Sequence, residues 1–101
     1  MSKIAVIAKL QANEGQRDAL VAALQTALHT ADGELGTIYY ILHEDAADAH
    51  TLWFYEMYTD KAAGEAHSSS DAFKALGPAI RPFLAGRPEL TIVKPIGGKG
   101  V

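Results

Sequence analysis

Glu56 is a carboxylate set into an otherwise apolar run, Thr51-Leu52-Trp53-Phe54-Tyr55-Glu56-Met57-Tyr58. Read as a strand, the run puts Leu52, Phe54, Glu56 and Tyr58 on one face and Trp53, Tyr55 and Met57 on the other. A carboxylate buried there without a partner is costly or stays protonated. Glu56 is thus either tied into a structural ion pair or hydrogen bond, or it titrates together with a catalytic partner. His67 closes an alanine-rich segment, four residues after Ala63, and its small neighbours leave room beside it. It reads as a half-exposed helix-end histidine favoured by the helix dipole. Equally, it reads as a general base at the mouth of a pocket, where a ring that titrates near neutral pH suits proton abstraction. Tyr40 and Tyr58 combine rings that pack in a core with hydroxyls that could meet a polar substrate. His43 and His50 flank a polar turn and read as surface residues.

Other chemistries find less support. His29, His43, His50 and His67 fall on four segments and form no metal-ligand spacing with one another or with a carboxylate. The chain has no cysteine, which excludes a disulfide scaffold, a thiolate nucleophile and sulfur-ligated metals. Gly97-Gly98-Lys99-Gly100 has the letters of a phosphate loop without a strand before it or a helix after it. No G-x-S-x-G elbow is present. Twelve acids against nine scattered bases give a net charge of −3, which argues against a nucleic-acid partner. No apolar run approaches a membrane span or a signal-peptide core, so the expected location is the cytoplasm.

The elements that must position these residues follow from periodicity. A chain of 101 residues, 49% hydrophobic and 21% charged, suits one globular domain. Ile4 to Leu10 is a short β-branched strand. Asn13 offers a helix N-cap with Gln16 behind it, and Leu20, Leu24 and Leu28 stripe a helix from about Glu14 to Thr30. Thr37 to His43 and Thr51 to Tyr58 are strands joined by a polar turn, an antiparallel hairpin. Thr59 and Asp60 cap a short helix, and Ser68-Ser69-Ser70-Asp71 interrupts it and caps another. Phe73, Leu76, Ile80 and Phe83 mark the apolar face of that second segment, which Gly77-Pro78 is expected to bend or split. Leu90 to Pro95 is the last strand. The order predicts an α+β, ferredoxin-like βαββαβ domain over residues 1–96, with both helical segments on one face of an antiparallel sheet, and a flexible tail over 97–101. Apolar residues on both faces of the hairpin strands ask for cover on both, which points to a homodimer formed sheet against sheet.

Three stretches carry a family resemblance. Glu34-Leu35-Gly36-Thr37-Ile38-Tyr39-Tyr40-Ile41-Leu42 resembles the opening of the second strand in antibiotic biosynthesis monooxygenase domains. Tyr55-Glu56-Met57-Tyr58 with Ala62-Ala63-Gly64-Glu65-Ala66-His67 resembles that family's strand end and Ala-His helix. Ser70-Asp71-Ala72-Phe73-Lys74-Ala75-Leu76 resembles the segment that follows. The resemblance implies a dimeric α+β barrel and, as in some members, oxygenation of quinols or polycyclic phenols by O2 with no other cofactor. His67 and Glu56 are then the catalytic pair, with Tyr58, Tyr40, Phe54 and Phe73 binding an aromatic substrate. Ala72 departs from the family pattern, standing where many members carry a second histidine. Haem-degrading relatives place a Trp at the position of His67 and an axial His at that of Gly77, and this sequence has neither. Two other functions fit the same scaffold. One is a non-catalytic dimer that binds a small aromatic or serves a stress response. The other is an isomerase or lyase using His67 and Glu56 without O2.

Overall fold

The structure, a computed structural model, describes residues 2–101. Its elements run β1 (Ile4–Gln11), α1 (Arg17–Asp32), β2 (Thr37–Glu44), β3 (Thr51–Tyr58), α2 (Lys61–Ser68), α3 (Asp71–Ile80), a 3-10 turn at Arg81–Phe83, and β4 (Glu89–Val93). The four strands form one sheet in the order β2-β3-β1-β4, antiparallel throughout. This is the ferredoxin-like α+β arrangement, with the second helical arm divided into α2 and α3.

The core lies between the sheet and the helices. Leu20 and Leu24 of α1 are fully buried against Ala8 and Leu10 of β1, Leu52 and Phe54 of β3, and Ile80 of α3. β3 occupies an inner position, paired to β1 with Val6 opposite Glu56 and to β2 with Tyr40 opposite Glu56. It is paired on both edges and buried on its helix face, with Trp53 and Tyr55 half-buried on the other, in keeping with its nearly continuously apolar sequence. The alternation expected along β3 holds: Phe54, Glu56 and Tyr58 lie on the helix side with core residues, while Tyr55 meets Tyr39 and Trp53 meets Lys9 on the other face.

Three local expectations need correction. Asn13 does not cap α1. The chain first turns through Gly15 at φ +76°, and the helix begins at Arg17 with Gln16 as an N-cap whose side chain makes no capping bond. Gly77-Pro78 does not split α3, which runs unbroken to Ile80. Pro78 removes one hydrogen-bond donor near the helix end, and Gly77, with no Cβ, eases the clash a proline imposes on the residue before it. β4 spans Glu89–Val93 rather than reaching Pro95, which has no N–H to continue a ladder. The caps at Asp60 and Ser70 are as expected, each side chain accepting from the backbone N–H three residues on, Ala63 and Phe73.

The helices cover one sheet face. On the other, Ile7, Tyr39, Ile41 and Val93 are exposed. No helix among the described residues is long and apolar enough to cross a membrane.

Candidate functional site

His67 is placed by two short helices and one loop. The Asp60 cap starts α2, and His67 arrives in its last turn, buried to 9% exposure. Ser70, the cap of α3, donates its hydroxyl to the His67 carbonyl at 2.8 Å and so ties the two helices at this residue. Nδ1 of His67 lies 2.8 Å from Oε1 of Glu34, in the link between α1 and β2. The same carboxylate oxygen accepts from the Thr37 hydroxyl at 2.9 Å. A carboxylate can only accept, so when the ring is neutral its proton sits on Nδ1 and its lone pair on Nε2. Nε2 is buried and has no hydrogen-bond partner among the described residues.

Two backbone features bring Glu34 to this position. Gly36 presses so close to α2 that a Cβ there would sit 2.5 Å from the Cβ of Ala63. Only glycine permits that approach. A register shift between Thr37 and Tyr39 then inserts one residue into β2, so Thr37 pairs with Tyr58 and Tyr40 with Glu56. Both residues thereby turn toward the helices although they are three apart in sequence.

Beside His67 stands a second acid pair. Tyr58, 1% exposed, donates its hydroxyl to Oε1 of Glu56 at 2.5 Å. Burial raises the Glu56 carboxyl above its ordinary range, against the opposing pull of the Tyr58 hydrogen bond and the His67 charge. Burial is also the main reason the Tyr58 phenol is pushed up, reinforced by its bond to Glu56. The Tyr40 phenol is raised by burial and then by the charges of Glu56 and Glu34. Both tyrosines therefore remain protonated donors. The Tyr40, Tyr58 and Phe73 rings surround the imidazole at centroid distances of 5.0, 5.3 and 5.3 Å. Phe54 stands one ring further away, 4.7 Å from Tyr40.

Two adjoining clefts open here. One, of about 450 Å³, is lined by His67, Tyr58 and Glu56 together with Leu90 and Ile92 of β4. The other, of about 480 Å³, holds Tyr40, Phe54 and Leu76 and shares Glu56 and Phe73 with the first. All six residues singled out from the sequence thus gather at one place. Their pairing differs from the expected one, since the histidine hydrogen-bonds to Glu34 and Glu56 hydrogen-bonds to Tyr58. The reading of His67 as a half-exposed surface residue does not hold. His43 and His50 lie exposed at the hairpin, as expected. Ala72 borders a small recess beside Glu34, Tyr40 and His67. Among the described residues no group of three or more His, Asp or Glu side chains is gathered to hold a metal ion.

The family profile described as antibiotic biosynthesis monooxygenase matches residues 3–78. The chain belongs to this family. The matched stretch includes every residue around His67 but ends within α3, leaving out β4, which floors the first cleft. Proteins of known structure share the fold over nearly the whole chain. Rv0793 of Mycobacterium tuberculosis is 26% identical with a TM-score of 0.90, covering 98% of this chain and 100% of that one. NE2512 of Nitrosomonas europaea, a protein of unknown function, is 27% identical with a TM-score of 0.86, covering 98% and 94%. A provisionally designated antibiotic biosynthesis monooxygenase from Caulobacter crescentus is 25% identical with a TM-score of 0.87, covering 95% and 92%. No curated protein matches at a significant level.

Proposed function

We propose that this protein is a monooxygenase that oxidises a quinol-like or polycyclic phenolic aromatic with O2, using no cofactor besides O2. The observation that carries this reading is the His67 imidazole, anchored at Nδ1 by Glu34 and unpartnered at Nε2, on the wall of an aromatic cleft. Family membership supports the same class of reaction.

In the proposed reaction the rings around the imidazole part to admit the substrate, whose hydroxyl gives its proton to the otherwise buried Nε2. A phenol near pKa 10 facing an imidazole near 6.5 loses its proton uphill by about 5 kcal/mol in water. Glu34 offsets part of that cost by pairing with the imidazolium as it forms. The Tyr40 hydroxyl, held protonated, donates to the developing phenolate oxygen. The electron-rich phenolate then reduces O2. One oxygen atom bonds to a ring carbon that loses its hydrogen, the other leaves as water, and the substrate supplies all four electrons. Naphthalene-1,4-diol plus O2 so gives the hydroxynaphthoquinone plus water. Packed rings of Tyr58 and Phe73 keep bulk water from the reduced intermediate.

The test is oxygen uptake and product mass with naphthalene-1,4-diol and with anthrone, corrected for autoxidation. The expected result is the gain of one oxygen atom, with His67→Ala slower by about 10²- to 10⁴-fold. Equal rates for the variant would remove His67 from the reaction. Ligand that binds but returns unchanged in air would support a binding protein, and turnover without O2 an isomerase or lyase.

We also propose that two copies pair through the open sheet face, where Ile7, Tyr39 and Ile41 present apolar surface.

A further inference from the structure

Charge is distributed unevenly around the clefts. The chain as a whole is acidic, with twelve acids and nine bases. Yet the two clefts are bordered by four of the bases, Lys61, Lys94, Lys74 and Arg81, and by only two of the acids, Glu56 and Glu65. Glu56 is buried and tied to the Tyr58 hydroxyl, so Glu65 is the only exposed acid among the cleft residues. Lys74, Arg81 and Lys94 pair with no carboxylate among the described residues. Lys61 reaches Glu65 only at 3.9 Å, with both side chains exposed, a pair too weak to hold it.

The cleft that holds His67 carries two of these cations, Lys61 and Lys94. Lys94 continues the alternation of β4, so Leu90, Ile92 and Lys94 follow one another along the cleft side of the strand. Leu90 and Ile92 stand 57% and 70% exposed, an apolar strip that ends in an unpaired ammonium. A flat ring lying on that strip brings its edge to the Lys94 end.

We propose that the ligand of this cleft is an aromatic acid: a fused-ring phenol or quinol bearing a carboxylate, its ring over Leu90 and Ile92, its hydroxyl at His67, and its carboxylate held by Lys94 and Lys61. The proposal deepens the monooxygenase reading and rests on it for the reaction, but it can be tested by binding alone.

The experiment is calorimetry under argon with a matched pair, naphthalene-1,4-diol and 1,4-dihydroxynaphthalene-2-carboxylate. The acid is expected to bind about tenfold more tightly than the neutral diol, the scale of one charge-assisted contact. That ratio falls to within about twofold in Lys61→Ala/Lys94→Ala and weakens at high salt, as exposed ion pairs do. Lys99→Ala, which removes the same charge from the C-terminal tail, keeps it. Equal binding of the two ligands, a ratio that survives the double substitution, or no binding of the acid overturns the proposal. Aerobic incubation separates the two ideas. An acid that binds preferentially and returns unchanged refutes the oxygenation and leaves the ligand class standing. Oxidation of both diols without any preference does the reverse.

Discussion

Two carboxylates beside one imidazole do different work because their surroundings differ. Glu34 accepts from the histidine and from Thr37, whereas Glu56 is buried against Tyr58. Replacing Glu34 by Gln keeps the shape and loses the charge that fixes the ring tautomer. Glu34→Gln is expected to lower kcat at least about tenfold with little change in KM, read from steady-state oxygen uptake. Glu56 has its clearest signature in stability. Below its ordinary value of 4.5 both folded and unfolded chains carry the carboxyl proton, and ionisation of Glu56 adds no cost to folding. As pH rises past that value the unfolded chain ionises first, so the folded state loses stability until its own raised carboxyl has titrated. Glu56→Gln still offers Tyr58 an acceptor and cannot ionise. Its melting temperature is expected to gain on the wild type by a few degrees as pH rises from about 4.5, and to show no gain below. A constant difference across that range would mean that Glu56 titrates normally. The sequence revealed Glu56 because a carboxylate interrupts an apolar strand, and His67 because it ends an alanine-rich helix. Glu34 left no such mark. It sits in an irregular link where no period predicts orientation, and an inserted residue in β2 turns Thr37 and Tyr40 to one side against strict alternation.

Elements were legible where one physical rule acted alone. β3 has the boundaries its apolar run predicts, and α2 and α3 start at the caps that Asp60 and Ser70 announce. The rule was misleading where a second one intervened, as at Gly15, whose positive φ delays α1 past the apparent cap at Asn13. Gly36 shows the link from element packing to chemistry, because it lets the loop carrying Glu34 lie against the helix carrying His67. Gly36→Ala is expected to cost about 1–3 kcal/mol through overpacking against Ala63. It should also slow turnover by parting the two side chains. Adding Ala63→Gly removes the clashing methyl and should restore turnover more fully than stability, since glycine inside a helix costs up to about 1 kcal/mol. Thermal melts and rates on the single and double variants check both halves. A double variant no faster than Gly36→Ala would mean that the contact does not govern the site.

At the scale of the molecule, one sheet divides two kinds of surface. Its helix side carries the clefts, and its open side carries Ile7, Tyr39 and Ile41. Charge placed on the open side should act on assembly before chemistry. Ile41→Glu is expected to convert the proposed dimer to monomer in sedimentation at micromolar concentration, and a wild type that sediments as a monomer would remove the dimer from the account. The sheet also sets how long each half of the site stays closed to water. β3, which bears Glu56 and Tyr58, is paired on both edges, whereas α2, which bears His67, is eight residues long and below the length at which a helix holds by itself. In deuterium the amides of Phe54 to Tyr58 should exchange only when the whole domain opens. Those of Gly64 to Ser68 should exchange at least about a hundredfold faster, by fraying of one turn. The acid pair therefore keeps its geometry over the lifetime of the fold, while the imidazole beside it is renewed with every closing of α2.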